Sequence, residues 1–140
     1  MLVRLLYASR VADPSTSATE AILLQSRSHN PACGITGILC YGGGIFLQAL
    51  EGGRNQVSEL YGHIQKDPRH KEVVLLLYEE ITERRFGGWT MGQVNVAKLN
   101  TSVLLKYSET PELNPYAVSG KMSLALLEEL METAAIIGRA

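Results

Sequence analysis

Cysteine, tryptophan and phenylalanine are scarce in this sequence, with two, one and two among 140 residues. Cys33 and Cys40 stand in unrelated local contexts without a Cys-x-x-Cys spacing, which excludes a metal knuckle or a redox pair. Both read as free, partly buried thiols, and no metal site is expected. A charge excess is lacking too: 13 Lys and Arg stand against 14 Asp and Glu, a formal net charge of −1. Nucleic acid and anionic membrane surfaces reward a clustered positive field, so neither is an expected partner. An RNA-binding open sheet also needs exposed aromatic side chains, which are too few here. No window approaches the roughly 20 consecutive apolar residues of a membrane-spanning helix. The apolar start, Met1 to Tyr7, is interrupted by Arg4 and followed by no small-residue cleavage site, so it is not expected to be a signal peptide, and a cytoplasmic location is expected. Any ligand must then be held by a pocket.

What is present suits one globular domain: 46% of residues are hydrophobic and 19% charged, and the length suffices to bury a core without disulfides. Val3 to Ser9 reads as a strand closed by Asp13-Pro14-Ser15. Ser17-Ala18-Thr19-Glu20 matches a capping box, predicting a helix from about Ala18 to about His29, and Asn30-Pro31 turns the chain. Ile35 to Tyr41 and Ile45 to Glu51 form a hairpin across Gly42-Gly43-Gly44. A second helix is predicted to start near Asn55 as cap, with Val57, Leu60, Tyr61 and Ile64 as its buried stripe, and to end at Pro68. Val73 to Tyr78 is a continuous apolar run that suggests a central strand, and Trp89 to Val96 an alternating last one. The order β-α-β-β-α-β-β predicts an α+β, ferredoxin-like mixed sheet with both helices on one face. The other face is left for the tail, where Thr101 to Tyr107 forms a short helix and Leu124, Leu127, Leu130, Met131 and Ala134 a stripe on a longer one that stops at Gly138.

Function shows where polar side chains fall in apolar rows. Strand alternation puts Gln48 on one side with Phe46 and Leu50. A buried carboxamide without partners costs about 1–3 kcal/mol, so Gln48 must have one; a backbone group or a structural water satisfies it as well as a ligand does. Tyr7 shares its face with Val3 and Leu5, which brings a second hydrogen-bonding group beneath the two helices. Ile22 and Ile64 then wall a flat slot suited to a planar aromatic ligand. Asn30 matches the edge of a heterocycle bearing a carbonyl beside an N–H, and as a helix C-cap it needs no ligand at all. The Arg69-His70-Lys71 run serves either as a solvated helix terminus or as a partner for phosphate, and charge alone does not separate the two.

Four motifs together resemble BLUF domains, sensors of blue light using flavin adenine dinucleotide: Tyr7-Ala8-Ser9; Asn30 to Leu39 with Ile35-Thr36-Gly37; Phe46-Leu47-Gln48-Ala49-Leu50-Glu51-Gly52; and Phe86-Gly87-Gly88-Trp89-Thr90-Met91. They cover roughly the first two thirds of the chain. The resemblance implies a photoreceptor, not an enzyme, that binds FAD non-covalently, with FMN or riboflavin as alternative flavins. Tyr7 would donate an electron and a proton, and Gln48 would bridge the tyrosine hydroxyl and the flavin. Asn30 would hold the ring edge and Ile22 and Ile64 would sandwich it, while Arg69 and His70 lie near its far side or the phosphates and Ser26 and His29 face the same edge. Trp89 and Met91 would compete for the place beside Gln48.

Residues 1–95 are expected to form the flavin-binding core and 96–140 a helical extension of the same domain. The signal is expected to leave by contact with a separate protein, and a homodimer is expected. Two other classes compete with this reading. An acylphosphatase-like hydrolase needs a glycine-rich cradle that Arg10 to Thr19 lacks. A flavin-dependent oxidoreductase needs a nicotinamide fingerprint or a second catalytic constellation, and neither is visible.

Overall fold

β1, Leu2–Val11, is buried on both sides along almost its whole length, because it is paired on both edges and covered on both faces. It lies antiparallel to β3, Ile45–Gly53, on one side and to β4, His70–Ile81, on the other. β2, Thr36–Gly42, pairs antiparallel with β3 and parallel with β5, Gly92–Asn95. The five-stranded mixed sheet therefore runs β4-β1-β3-β2-β5. The computed structural model describes residues 1–13, 20–22, 24–25, 29–88 and 91–132.

Among the described residues, α-helical segments accompany the sheet. The described residues of α1 are 20–22, 24–25 and 29; α2 is Arg54–Lys66, α3 Thr101–Tyr107 and α4 Gly120–Glu132. One face of the sheet carries Val3, Leu5, Tyr7, Phe46 and Leu50, packed with Ile22 of α1 and Val57, Leu60, Tyr61 and Ile64 of α2. The opposite face carries Leu6, Ile38, Cys40, Leu47 and Ala49, packed with Leu104 of α3 and Leu126, Leu127 and Leu130 of α4. Strand parity separates the two cores, as the period of two requires, and this is the α+β, ferredoxin-like arrangement expected from the sequence.

Several expectations need correction. β4 is an edge strand, not a central one: Val73 packs on one core and Leu76 and Leu77 on the other, while Val74, Leu75 and Tyr78 are exposed, and the register against β1 slips between Leu6 and Tyr7 and again between Ala8 and Arg10. Glu72, at the second slip, has φ 51°, a left-handed conformation uncommon outside glycine. α2 starts one residue before Asn55, with Gly53 as N-cap and no side-chain cap. β1, β3 and β4 extend beyond the predicted limits, while β5 is shorter. On α4, Ser123 and Leu126 are buried beside Leu127 and Leu130, so the buried stripe is shifted from the predicted one. The Ser17 capping box, Ala134 and Gly138 lie outside the described residues.

A buried ion pair sits within the second core. Arg4 reaches Glu51 at 2.8 Å and Glu79 at 2.5 Å, with the Glu51 side chain wholly buried. The hairpin turn uses Gly43 and Gly44 at φ 59° and 77°, where a side chain would be strained. At Gly37 the reason for glycine is space: a Cβ would overlap the Ala49 carbonyl of the neighbouring strand. We expect Gly37→Ala to lower unfolding free energy by about 1–3 kcal/mol in urea denaturation; an unchanged midpoint would contradict this packing.

Candidate functional site

Tyr7 and Gln48 are direct cross-strand partners in the β1–β3 ladder, with Leu39 of β2 opposite Gln48 on its other side. Partners opposite each other in a ladder point to the same face, here the one covered by α1 and α2. The Tyr7 hydroxyl donates to Gln48 Oε1. Burial, with smaller contributions from Tyr61 and Asp67, pushes the Tyr7 phenol far above its ordinary value, so it stays protonated. Gln48 Nε2 in turn donates to Met91 Sδ at 3.3 Å, and Met91 is fully buried. Phenol, carboxamide and thioether thus form one buried chain of contacts.

That chain borders a cavity of about 200 Å³ lined by Tyr7, Ile22, Asn30, Gln48, Ile64 and His70 together with His29 and Arg69. Eight of the residues singled out from the sequence therefore meet at one place, and Met91 stands behind Gln48. Ser26 and Trp89 lie outside the described residues. Asn30 opens a 3-10 turn, Asn30–Cys33, that ends at Gly34 in the left-handed region. Its backbone carbonyl accepts from Ile35 N at 3.0 Å, whereas its side-chain nitrogen is buried without a hydrogen-bond partner among the described residues. A buried amide left unpaired costs about 1–3 kcal/mol, and an acceptor entering the cavity removes that cost.

The cavity mouth is polar but balanced. Arg69 closes on Asp67 through Nε–Oδ1 at 3.0 Å and Nη2–Oδ2 at 2.6 Å, and also donates to Gln25. The Arg69 hydrogen bonds hold the Asp67 carboxyl below the usual carboxylate range. Inside, Ser9 Oγ and His70 Nδ1 are 2.8 Å apart, and the His70 ring lies at 5.5 Å from that of Phe46 and 6.4 Å from that of Tyr7. Burial is the main cause that lowers the His70 pKa, with Asp67 acting the other way and Arg69 in the same direction. Elsewhere, burial pushes the Cys40 thiol up to about 12, which makes it inert at neutral pH.

Sequence reasoning missed Gln25, Leu60, His63 and Asp67 as cavity residues. The helical period contains the signal: Gln25 follows Ile22 by one turn, and Leu60, His63 and Ile64 share a face. Leu60 had been assigned to the buried stripe alone. Asp67 adjoins the Arg69-His70 run, but nothing local reveals that it turns toward Arg69.

A cavity with Ile22 and Ile64 in its lining, the unpaired amide of Asn30 and the Tyr7–Gln48 pair suit a heterocycle with polar edges. The family model for BLUF, sensors of blue-light using FAD, matches residues 2–92. The chain is 39% identical over 89 residues to the blue light- and temperature-regulated antirepressor BluF of Escherichia coli (strain K12), a match covering 62% of this chain and 22% of that protein. It is 38% identical over 87 residues to the photoactivated adenylate cyclase subunit alpha of Euglena gracilis, covering 61% of this chain and 8% of that protein. The chain thus matches about a fifth or less of the length of these relatives. Among solved structures, photo-activated BlsA superposes with TM-score 0.82 at 32% identity, covering 100% of this chain and 99% of that one. The dark state of the BLUF protein BlrB gives TM-score 0.78 at 35% identity, covering 95% and 96% of the two chains. The hydrolase and oxidoreductase readings find no support in these relatives.

The lowered pKa of His70 has a consequence for stability. The unfolded chain takes up this proton near pH 6.5, before the folded chain does, so the contribution is whole above that pH and is lost as pH falls toward the folded value. Between pH 7 and 5.5 the unfolding free energy should therefore drop more steeply in the parent than in His70→Gln, by at most about 1.4 kcal/mol per pH unit. Parallel pH profiles in urea denaturation would show that His70 titrates alike in both states.

Proposed function

Because the chain belongs to the BLUF family, sensors of blue light using FAD, we propose that Tyr7, Gln48 and Met91 are its photoactive residues and that the cavity beside them holds the flavin ring. The observation that carries this reading is the unbroken contact from the Tyr7 hydroxyl through the Gln48 amide to Met91 Sδ. The flavin, when bound, supplies blue-light absorption and an excited state oxidising enough to draw an electron from a phenol. Tyr7 is the electron donor, and its hydroxyl proton travels by way of Gln48 and returns. Gln48 is the part that stays changed. Its carboxamide, rotated or tautomerised, exchanges partners among Tyr7, Met91 and the ring, and so forms a two-state element that light repopulates.

Asn30 holds the polar edge of the ring, which gives its unpaired nitrogen an acceptor, and Ile22 and Ile64 flank the ring faces. His29, Arg69 and His70 lie toward the outer edge and the phosphate end, with Ser26 assigned there as well. Arg69 is already committed to Asp67 and Gln25, so it contributes position and little net charge. A cavity of about 200 Å³ lies below the roughly 300–1,000 Å³ of sites that enclose a drug-sized ligand. It suits the ring and leaves the rest of the dinucleotide toward solvent, so FMN and riboflavin would fill the same slot. Trp89 is assigned as the alternative neighbour of Gln48.

The chain acts as a light sensor rather than an enzyme, and its signal leaves through protein contact. Residues 96–140 belong with the core of residues 1–95 as one domain, a reading supported by Leu104, Leu126, Leu127 and Leu130 packing on the sheet. A separate downstream protein receives the signal, and the chain works as a homodimer in the cytoplasm. None of the helices among the described residues is long and apolar enough to cross a membrane.

Blue illumination of the flavin-loaded protein should red-shift its absorption reversibly, with recovery in the dark. Tyr7→Phe and Gln48→Leu should retain the yellow flavin and lose the reversible shift. A normal photocycle in both variants would overturn the roles given to Tyr7 and Gln48.

A further inference from the structure

Three residues beyond Gln48 on β3, on the opposite face, Glu51 has no exposed surface. Its carboxylate has no part in the photoactive contacts described above. It is nevertheless densely bonded. Oε2 accepts from Arg4 Nε at 2.8 Å and from the backbone N–H of Arg85 at 3.1 Å, and Oε1 accepts from the backbone N–H of Phe86 at 2.6 Å. Arg4 Nη2 adds a further contact with Oε2 at 2.8 Å. One buried carboxylate therefore ties β1 to the loop that leaves β4.

That loop delivers Met91. Phe86 is packed in the core under α3 and α4, whereas Met91, five residues further along, is packed in the core under α1 and α2. Phe86 and Met91, five residues apart, are thus anchored on opposite sides of the sheet. A second hold lies nearby: Arg84 Nη1 donates to Thr36 Oγ1 at 3.0 Å. Thr36 adjoins Gly37, where a Cβ would stand 3.3 Å from the Met91 methyl.

A thioether sulfur is a weak acceptor, so its contact with Gln48 cannot by itself fix the position of Met91. The backbone that brings it there must do so. We propose that Glu51 is a positioning residue for the photoreaction, its carboxylate holding the amides of Arg85 and Phe86 so that the loop presents Met91 to Gln48. This rests on the assignment of Met91 as the partner exchanged by Gln48. Two backbone N–H groups converging on one carboxylate explain why an acidic side chain, and not an apolar one, stands at this buried position. With the anchor cut, the loop relaxes, Met91 no longer restrains the carboxamide, and the lit arrangement decays faster.

The test uses the full chain loaded with FAD and reads the dark-recovery rate of the red shift, together with the flavin carbonyl stretching bands in light-minus-dark infrared spectra. Glu51→Gln should accelerate recovery by about tenfold, the scale expected when a hydrogen bond to a charged group is lost, and should displace the carbonyl bands. Thr36→Val, which leaves the Arg4–Glu51 pair intact, should shift both readouts in the same direction by a smaller factor. In a Met91→Ala background neither substitution should change recovery further, whereas a general loss of stability would act in both backgrounds alike. Recovery within about twofold of the parent in both variants, or equal acceleration with and without Met91, overturns the proposal. If Glu51→Gln does not accumulate as folded flavoprotein, Thr36→Val with its Met91→Ala cycle decides by the same criteria. A Met91→Ala protein that recovers like the parent overturns the assignment of Met91, and the role of Glu51 with it.

Discussion

The structure depends on a hydrogen bond made where water cannot compete. Tyr7 is 1% and Gln48 3% exposed, and as cross-strand partners on β1 and β3 they are held together by the ladder rather than by their own attraction. Burial keeps the phenol protonated, which settles the direction of the bond: the hydroxyl donates and Gln48 Oε1 accepts. The amide nitrogen must then face elsewhere, and among the described residues it meets the weak acceptor Met91 Sδ. A buried polar group with one strong and one weak partner changes orientation at less cost than one fully satisfied. Two helices on this face exclude water, and Asn30 adds a donor with no protein acceptor among the described residues.

Much of this was legible from residue pattern. Strand parity alone put Tyr7 and Gln48 in apolar rows, and helical period put Ile22 and Ile64 above them; the fold order followed from strand and helix signals that agreed with one another. The misreadings share a cause, which is that local pattern does not encode what a distant segment does. The apolar run of β4 looked central because its residues are continuously apolar, yet the strand lies at an edge and Val74, Leu75 and Tyr78 are exposed. The register slips and the left-handed Glu72 leave no mark in composition. Asn30 had two sound local readings, and only the tertiary position of the 3-10 turn separated them. Nothing in the local pattern around Glu51 shows that Arg4 and two loop amides close on it.

The two faces of the sheet divide the labour. One face holds the cavity; the other holds α3 and α4, and among the described residues no helix contributes to both cores. Communication between faces must therefore run through strands or around their ends. Glu51 and Gln48 lie on the same strand and face opposite ways, so β3 itself joins the Tyr7–Gln48 pair to the loop anchor. That loop also touches α4: Arg85 pairs with Glu128 at 2.5 Å. An exposed pair contributes at most about 1 kcal/mol, so it sets alignment more than stability.

The start of α4 grips the sheet at a second place. Gly120 lies so close to the Leu76 carbonyl that no side chain fits between them. Tyr116 donates to the Glu72 carbonyl at 2.8 Å, while Arg10 pairs with Glu72 at 2.5 Å and stacks 4.8 Å above the Tyr116 ring. Leu76 and Glu72 mark the two irregular positions of β4, and Leu75, the partner of Tyr7 in the β1–β4 ladder, lies between them. α4 is therefore seated on the segment that backs the phenol, while Arg85 joins it to the loop that delivers the thioether. Close-packed interiors do not absorb displacements gradually. A shift of β4 at Leu75 or of the loop at Arg85 would therefore have to be met by movement of α4 or by breaking the contacts that seat it.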